Sequence, residues 1–199
     1  MDGSFHEGCV LMARLHLVRH GRAAAGWNTD PDPGLDEHGR GQAVDVAAAL
    51  EGAGPLQVYS SPLLRCRQTS EPLAALWDTT AIVEPRVTEI PSPEGYALDN
   101  RIDWLRAAMS GTWAELAASD GQRYADYPRM VCEALMEIPG DAVVFSHFIA
   151  INVVIGVATG DDRLVVASLD NCSVTTVTTN ADGTFTLEAI GREADTLIR

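Results

Sequence analysis

Short apolar runs of strand length alternate along this chain with longer segments of helical pattern, and that alternation most restricts its fold. "ARLHLV" (13–18), "LQVYS" (56–60) and "DAVVFSH" (141–147) read as buried strands. "LDEHGRGQAVDVAAALEGAG" (35–54) reads as a helix opened by Asp36 as its cap and closed by Gly52 and Gly54. "SPLLRCRQTSEPLAALW" (61–77) reads as a second helix, with Ser61 at the cap, Pro62 at the first helical position, and Pro72 kinking or ending it. Residues 80–90 hold one or two short extended pieces, and 95–119 and 128–138 read as helical. "FIAINVVIGVATG" (148–160) is an apolar helix, and 172–191 reads as two strands joined around Asn180–Gly183. The pattern predicts an α/β fold with a mostly parallel sheet and helices on both faces.

The 199 residues suffice for one well-filled domain, expected over 13–199, after a loose extension over 1–12 in which Met12 is an alternative start. The formal net charge of −14 argues against nucleic acid or an anionic membrane as the partner. It leaves room for a small anion in a local basic pocket. Cys9, Cys66, Cys132 and Cys172 include no CxxC pair, so they read as reduced thiols of a cytoplasmic protein rather than as metal ligands. The N-terminus has no basic stretch before its short apolar run, and no segment approaches the length of a membrane span. A homodimer is the default expectation for oligomeric state.

Three strands end on polar residues: Arg19–His20, Ser60–Ser61 and Ser146–His147. Ligands of parallel α/β sheets bind beyond the carboxyl ends of the strands, so these groups are expected to converge on one crevice. Arg65, in the first turns of the 61–77 helix, leans back over the strand ends. With Arg19 it offers two guanidinium forks, a set suited to phosphate. A neutral His20 beside that phosphate is a competent nucleophile, and His147 faces it as a hydrogen-bonding partner. Gly21 is expected to let the backbone pass close to the ligand. Protonating an alkoxide leaving group needs a carboxylic acid; Glu89 is the candidate and Glu94 in "SPEG" the runner-up. No metal or cofactor is called for.

"LHLVRHG", "SSPLLRCRQT" and "VVFSHF", in that order, resemble the histidine phosphatase superfamily, which includes the cofactor-dependent phosphoglycerate mutases. The resemblance covers about Arg14 to Ile190. It implies a three-layer α/β/α sandwich of the phosphoglycerate mutase type, with His20 as the phosphorylated nucleophile and Arg19, Arg65 and His147 as the phosphate pocket. Arg22, where the family usually has an acidic or amide residue, Asn28 of the Trp27–Asn28 pair, and Phe148, where the family usually has glycine, are the expected substrate contacts.

The function expected is a metal-independent phosphatase acting on a small phosphomonoester through phospho-His20. The alternatives are a mutase using the same intermediate, a protein phosphohistidine phosphatase, and a non-catalytic phospho-ligand binding module. Blander readings are assigned to other residues. His16 and His20 lie ~13 Å apart along a strand, too far for a shared metal, so His16 reads as a satisfied sheet residue. Arg67 reads as an i,i+4 partner of Glu71, Cys66 as packed, and Trp104 and Trp113 as helix packing residues.

Overall fold

The computed structural model describes residues 12–26, 29–95, 97 and 100–194. At its centre is a six-stranded sheet in the order β3-β2-β4-β1-β5-β6. Strands β1 (Arg14–Arg19), β2 (Gln57–Ser60), β3 (Ile82–Val83) and β4 (Ala142–Ser146) run parallel. The hairpin β5 (Val174–Thr179) and β6 (Phe185–Ala189) adds an antiparallel edge beside β1. Every residue of β4 is buried, as an apolar strand covered on both faces requires.

The period of two along β1 sends its side chains to two cores. Val18 joins Val58, Val143 and Phe145 under α1 (Glu37–Leu50) and α2 (Leu64–Leu76). Leu15 and Leu17 join Val144 and Val177 under α4 (Trp113–Asp120), α5 (Gln122–Met136) and α6 (Phe148–Thr159). Trp104 and Leu105 of α3 (Arg101–Met109) extend that second core. The architecture is the expected mostly parallel α/β/α sandwich.

Several local expectations are corrected. The helix after β2 begins at Leu64, its N-cap is Leu63, and no side chain of the cap residue closes it. Ser61 Oγ is turned toward His147 instead, and the Leu64 N–H donates to Asp32 Oδ1 at 2.8 Å. A distant carboxylate therefore does the work assigned to Ser61. Helix α2 continues through Pro72 to Leu76. The stretch 95–119, expected to be helical, holds two helices among its described residues, because Thr112 and Glu115 form a reciprocal capping box that starts α4 afresh. Helix α5 starts at Gln122, six residues before Pro128, which it contains. Arg67 and Glu71 form no ion pair.

Asp36 does cap α1, accepting from the Gly39 N–H at 2.7 Å. A Cβ on Gly39 would lie 2.1 Å from the Arg22 carbonyl oxygen, and one on Gly21 would lie 2.6 Å from the Gly39 carbonyl oxygen. Backbone thus meets backbone where the chain leaves β1, which fixes its path just beyond His20.

In α6 the buried Asn152 is an exception in an apolar helix. Its Oδ1 accepts the N–H groups of Val166 and Ala167, each at 2.8 Å, and its Nδ2 donates to the carbonyls of Phe148 and Ala167. Those bonds hold the loop that reaches Leu169, whose carbonyl accepts from Arg19. Replacing Asn152 by Ala strands two backbone donors in the interior. Urea unfolding of Asn152→Ala is expected to show a loss of about 2–4 kcal/mol; a loss below ~0.5 kcal/mol would show that these bonds contribute little.

Candidate active site

The register of the sheet brings the polar strand ends together. Arg19 of β1 stands opposite Ser146 of β4, and Ser60 of β2 opposite Phe145. Beyond them, the His20 N–H donates to the Ser146 carbonyl and the Ser61 N–H to the Phe145 carbonyl. The two histidines that follow β1 and β4 face each other with ring centroids 5.3 Å apart and planes at 63°. Arg65 lies between them, reaching back from the first turn of α2.

Each ring's proton can be placed from its partners. His20 Nδ1 lies 2.8 Å from the Gly21 carbonyl, which only accepts, so Nδ1 carries the proton. Its Nε2 holds the free lone pair and accepts from Arg65 Nε at 3.1 Å. His147 Nδ1 accepts from Arg65 Nη2 at 3.1 Å, which puts its proton on Nε2, 2.7 Å from Ser61 Oγ. Burial, then the Arg65 and Arg19 charges, hold His20 well below its ordinary pKa. Burial, then Arg65, His20 and Arg19, do the same to His147. Both rings are neutral at physiological pH.

The guanidinium groups are nearly buried, with 8% of Arg19 and 4% of Arg65 exposed. Arg19 donates to the Leu169 carbonyl and stacks over the Phe148 ring. Among the described residues, buried Arg19 Nε and Arg65 Nη1 have no hydrogen-bond acceptor. Two cationic donors without hydrogen-bond acceptors in the protein, beside two neutral imidazoles, are a donor set chemically suited to an oxyanion.

Glu89 borders the same pocket, and Glu94 does not. The Glu94 side chain is 97% exposed and sits 3.8 Å from Arg123. The Glu89 segment is held from three sides: Ser146 Oγ donates to the Val87 carbonyl, the Tyr127 hydroxyl to that of Thr88, and the Tyr124 hydroxyl to that of Pro91. Glu89 Oε1 accepts from the N–H groups of Ile90 and Ile149, the latter in the first turn of α6. Burial nevertheless prevails over those bonds and the nearby arginines, and raises its pKa above the usual 4.5.

Other expected positions differ in part. Gly21 closely approaches the Gly39 backbone, and its N–H donates to Thr69 Oγ1. Arg22 and Phe148 line the pocket, while Asn28 lies outside the described residues. Cys66 is packed, 3.3 Å from His147 Nε2, and burial pushes its thiol far up. His16 Nδ1 meets Thr176 Oγ1 at 3.2 Å, and Trp113 stacks on Tyr127. No cluster of metal-ligating side chains exists among the described residues. Nor is any helix there long and apolar enough to cross a membrane.

Sequence reasoning missed two residues. Asn171 Nδ2 donates to the His20 carbonyl at 2.8 Å, and Asp170 lines the pocket beside it. Both sit in the turn before β5. Nothing local in the sequence of that turn signals a site.

The chain belongs to the histidine phosphatase superfamily (branch 1), whose model matches residues 15–192. A probable phosphoglycerate mutase of Escherichia fergusonii is 26% identical over 189 residues, covering 83% of this chain and 85% of that protein. An 8-oxo-(d)GTP phosphatase of Mycolicibacterium smegmatis is 38% identical over 88 residues, which are 43% of this chain and 26% of that protein. The chain thus matches about a quarter of that relative's length. Among solved structures, mycobacterial glucosyl-3-phosphoglycerate phosphatase superposes with a TM-score of 0.68 at 22% identity, covering 92% of this chain and 100% of that one. Phosphoserine phosphatase of Entamoeba histolytica gives 0.68 at 23% identity, covering 89% of this chain and 95% of that one. The structural likenesses establish the shared fold.

The shifted groups link stability to pH in opposite senses. Below pH 6.5 the unfolded chain protonates histidines that the native state keeps neutral, so the contribution of His20 and His147 is complete above 6.5 and lost as pH falls below it. Glu89 favours its protonated form in the native state, so its contribution is lost as pH rises above 4.5. Between about pH 5 and pH 7, unfolding free energy is expected to rise less steeply in His147→Gln than in wild type and more steeply in Glu89→Gln. Identical slopes in all three proteins would contradict the assigned burial.

Proposed function

We propose that the protein is a phosphatase hydrolysing a small phosphomonoester through a phosphohistidine formed on His20. The observation that supports this most is the state of His20: a neutral ring, anchored at Nδ1 by the Gly21 carbonyl, with its Nε2 lone pair turned to Arg65. A group that only bound phosphate would need no nucleophile held in that tautomer.

The chemistry follows from the contacts. A phosphomonoester dianion draws the Arg65 donors from the two imidazoles onto its own oxygens. Arg19 Nε and Arg65 Nη1 gain the acceptors they otherwise lack. His20 Nε2, freed from Arg65, attacks phosphorus in line as the bond to the leaving oxygen breaks. Phosphoryl transfer depends chiefly on such positioning and charge neutralisation. His147 turns Nδ1 to the same anion. It donates from that atom once its proton has moved from Nε2, where the Ser61 hydroxyl accepts in one tautomer and donates in the other. Glu89, kept protonated by burial to a higher pH than a surface carboxyl, gives its proton to the leaving oxygen. The resulting carboxylate then takes a proton from the water that cleaves the phosphohistidine.

A mutase would use the same intermediate and return the phosphoryl group to a bound acceptor. The match to a named mutase over most of both chains favours that as the second reading.

Hydrolysis of an aryl phosphate is expected to continue in EDTA and to fall ~10³-fold or more in His20→Ala. Wild-type turnover in His20→Ala would eliminate the mechanism. Glu89→Gln is expected to cost about 10²-fold with alkyl phosphates and less than tenfold with aryl phosphates, whose leaving groups need less protonation. Equal losses on both would remove Glu89 from the acid role.

A further inference from the structure

We infer that the pocket beyond the phosphoryl site accepts an uncharged leaving group and disfavours one carrying a second anion. This rests on the phosphatase reading above and names the substrate class of that same site. The cavity is about 590 Å³, several times what a phosphoryl group displaces and within the range that holds ligands of drug size. Apolar surface from Ala23, Ala25, Pro33 and Leu105 forms part of its wall.

The charged groups of the described lining residues are three arginines (Arg19, Arg22, Arg65) and two carboxylates (Asp36, Asp170), with Glu89 as the protonated acid of the proposed reaction. Arg19 and Arg65 match the two charges of the phosphoryl group. Arg22 is the remaining cation, and its Nε is 2.6 Å from Asp36 Oδ2. That pair is built into the backbone. The Asp36 N–H donates to the Arg22 carbonyl, and the adjoining Ala23 and Leu35 form an antiparallel bridge. Asp36 Oδ1 meanwhile caps α1 at Gly39. Drawing Arg22 onto a substrate anion would leave the Asp36 carboxylate unmatched at the pocket wall. Asp170 is the second carboxylate, whose own cation, Arg192, is 2.8 Å away and outside the lining. His38 is exposed at the same rim. A leaving-group carboxylate would therefore meet a spent ion pair and the Asp170 carboxylate. An amide or hydroxyl would find hydrogen-bonding groups on Gln42 and His38.

The test compares 4-carbamoylphenyl phosphate with 4-carboxyphenyl phosphate, which share size and differ in charge, at pH 8 and low salt. Wild-type kcat/KM is expected to be at least about fivefold higher for the amide. Asp36→Asn keeps a capping oxygen for α1 but releases Arg22. It should move the carboxylate-to-amide ratio about tenfold toward the carboxylate. A wild-type preference for the carboxylate, or an unchanged ratio in Asp36→Asn, would overturn the inference while leaving the phosphatase intact, provided turnover still requires His20. Turnover of neither compound, or equal turnover in His20→Ala, would remove the phosphatase reading and this inference with it.

Discussion

Arg65 donates to both catalytic candidates at once, Nε to His20 and Nη2 to His147, and the arrangement of the site depends on that double contact. One planar fork sets the separation of the rings. Burial first, and then the fixed positive charge that the fork places beside each, keep both neutral, and the fork fixes which nitrogen of each bears the proton. The contact requires α2 to start where it does. Asp32, from a loop more than thirty residues earlier, accepts the Leu64 N–H, and Arg65 is the next residue. The contact also requires β4 to lie between β1 and β2, so that His20 and His147 follow adjacent parallel strands. A buried cation between two imidazoles is a poor arrangement for stability alone, because each ring gives up protonation and the guanidinium gives up water. It suits a site that trades imidazole acceptors for an oxyanion.

The surrounding shell serves the same end through polar bonds in the interior. Asn152 holds the loop whose Leu169 carbonyl anchors Arg19. Ser146, Tyr124 and Tyr127 hold the segment that carries Glu89. Gly21 and Gly39 allow backbone contact just past His20. Each bond satisfies a buried group, so holding the site and avoiding unpaired polar atoms are met by the same contacts. The acid differs from the imidazoles in sign. Burial raises Glu89 and lowers His20, and both shifts favour the neutral form that each role in the proposed reaction requires.

Much of this was legible in the sequence because it is carried by local signals. The strand ends at Arg19, Ser60 and Ser146 follow from apolar runs that stop on polar residues, and their meeting follows from parallel topology. Glu89 was separable from Glu94 only in three dimensions. Both lie in one short irregular segment, and the hydroxyls that turn one inward come from α5 and β4. The cap of α2 was misread because Ser-Pro is a strong local start signal, whereas the true partner, Asp32, is distant and Ser61 is engaged by His147. Asn152 and Asn171 carried no periodic or motif signal. Each acts by bonding backbone groups far away in the chain. The charge character of the pocket rests on pairings such as Arg22 with Asp36 that only the folded chain displays.

The central claim is that His20 Nε2 becomes covalently bonded to phosphorus during turnover. Rapid mixing with an aryl phosphate, quenching in alkaline denaturant and peptide mass spectrometry test it directly. The expected result is a phosphoryl group on the peptide bearing His20, stable in alkali, lost in acid and absent from His20→Ala. Turnover with no phosphorylated His20 at any mixing time, under conditions that preserve a phosphohistidine standard, would contradict it.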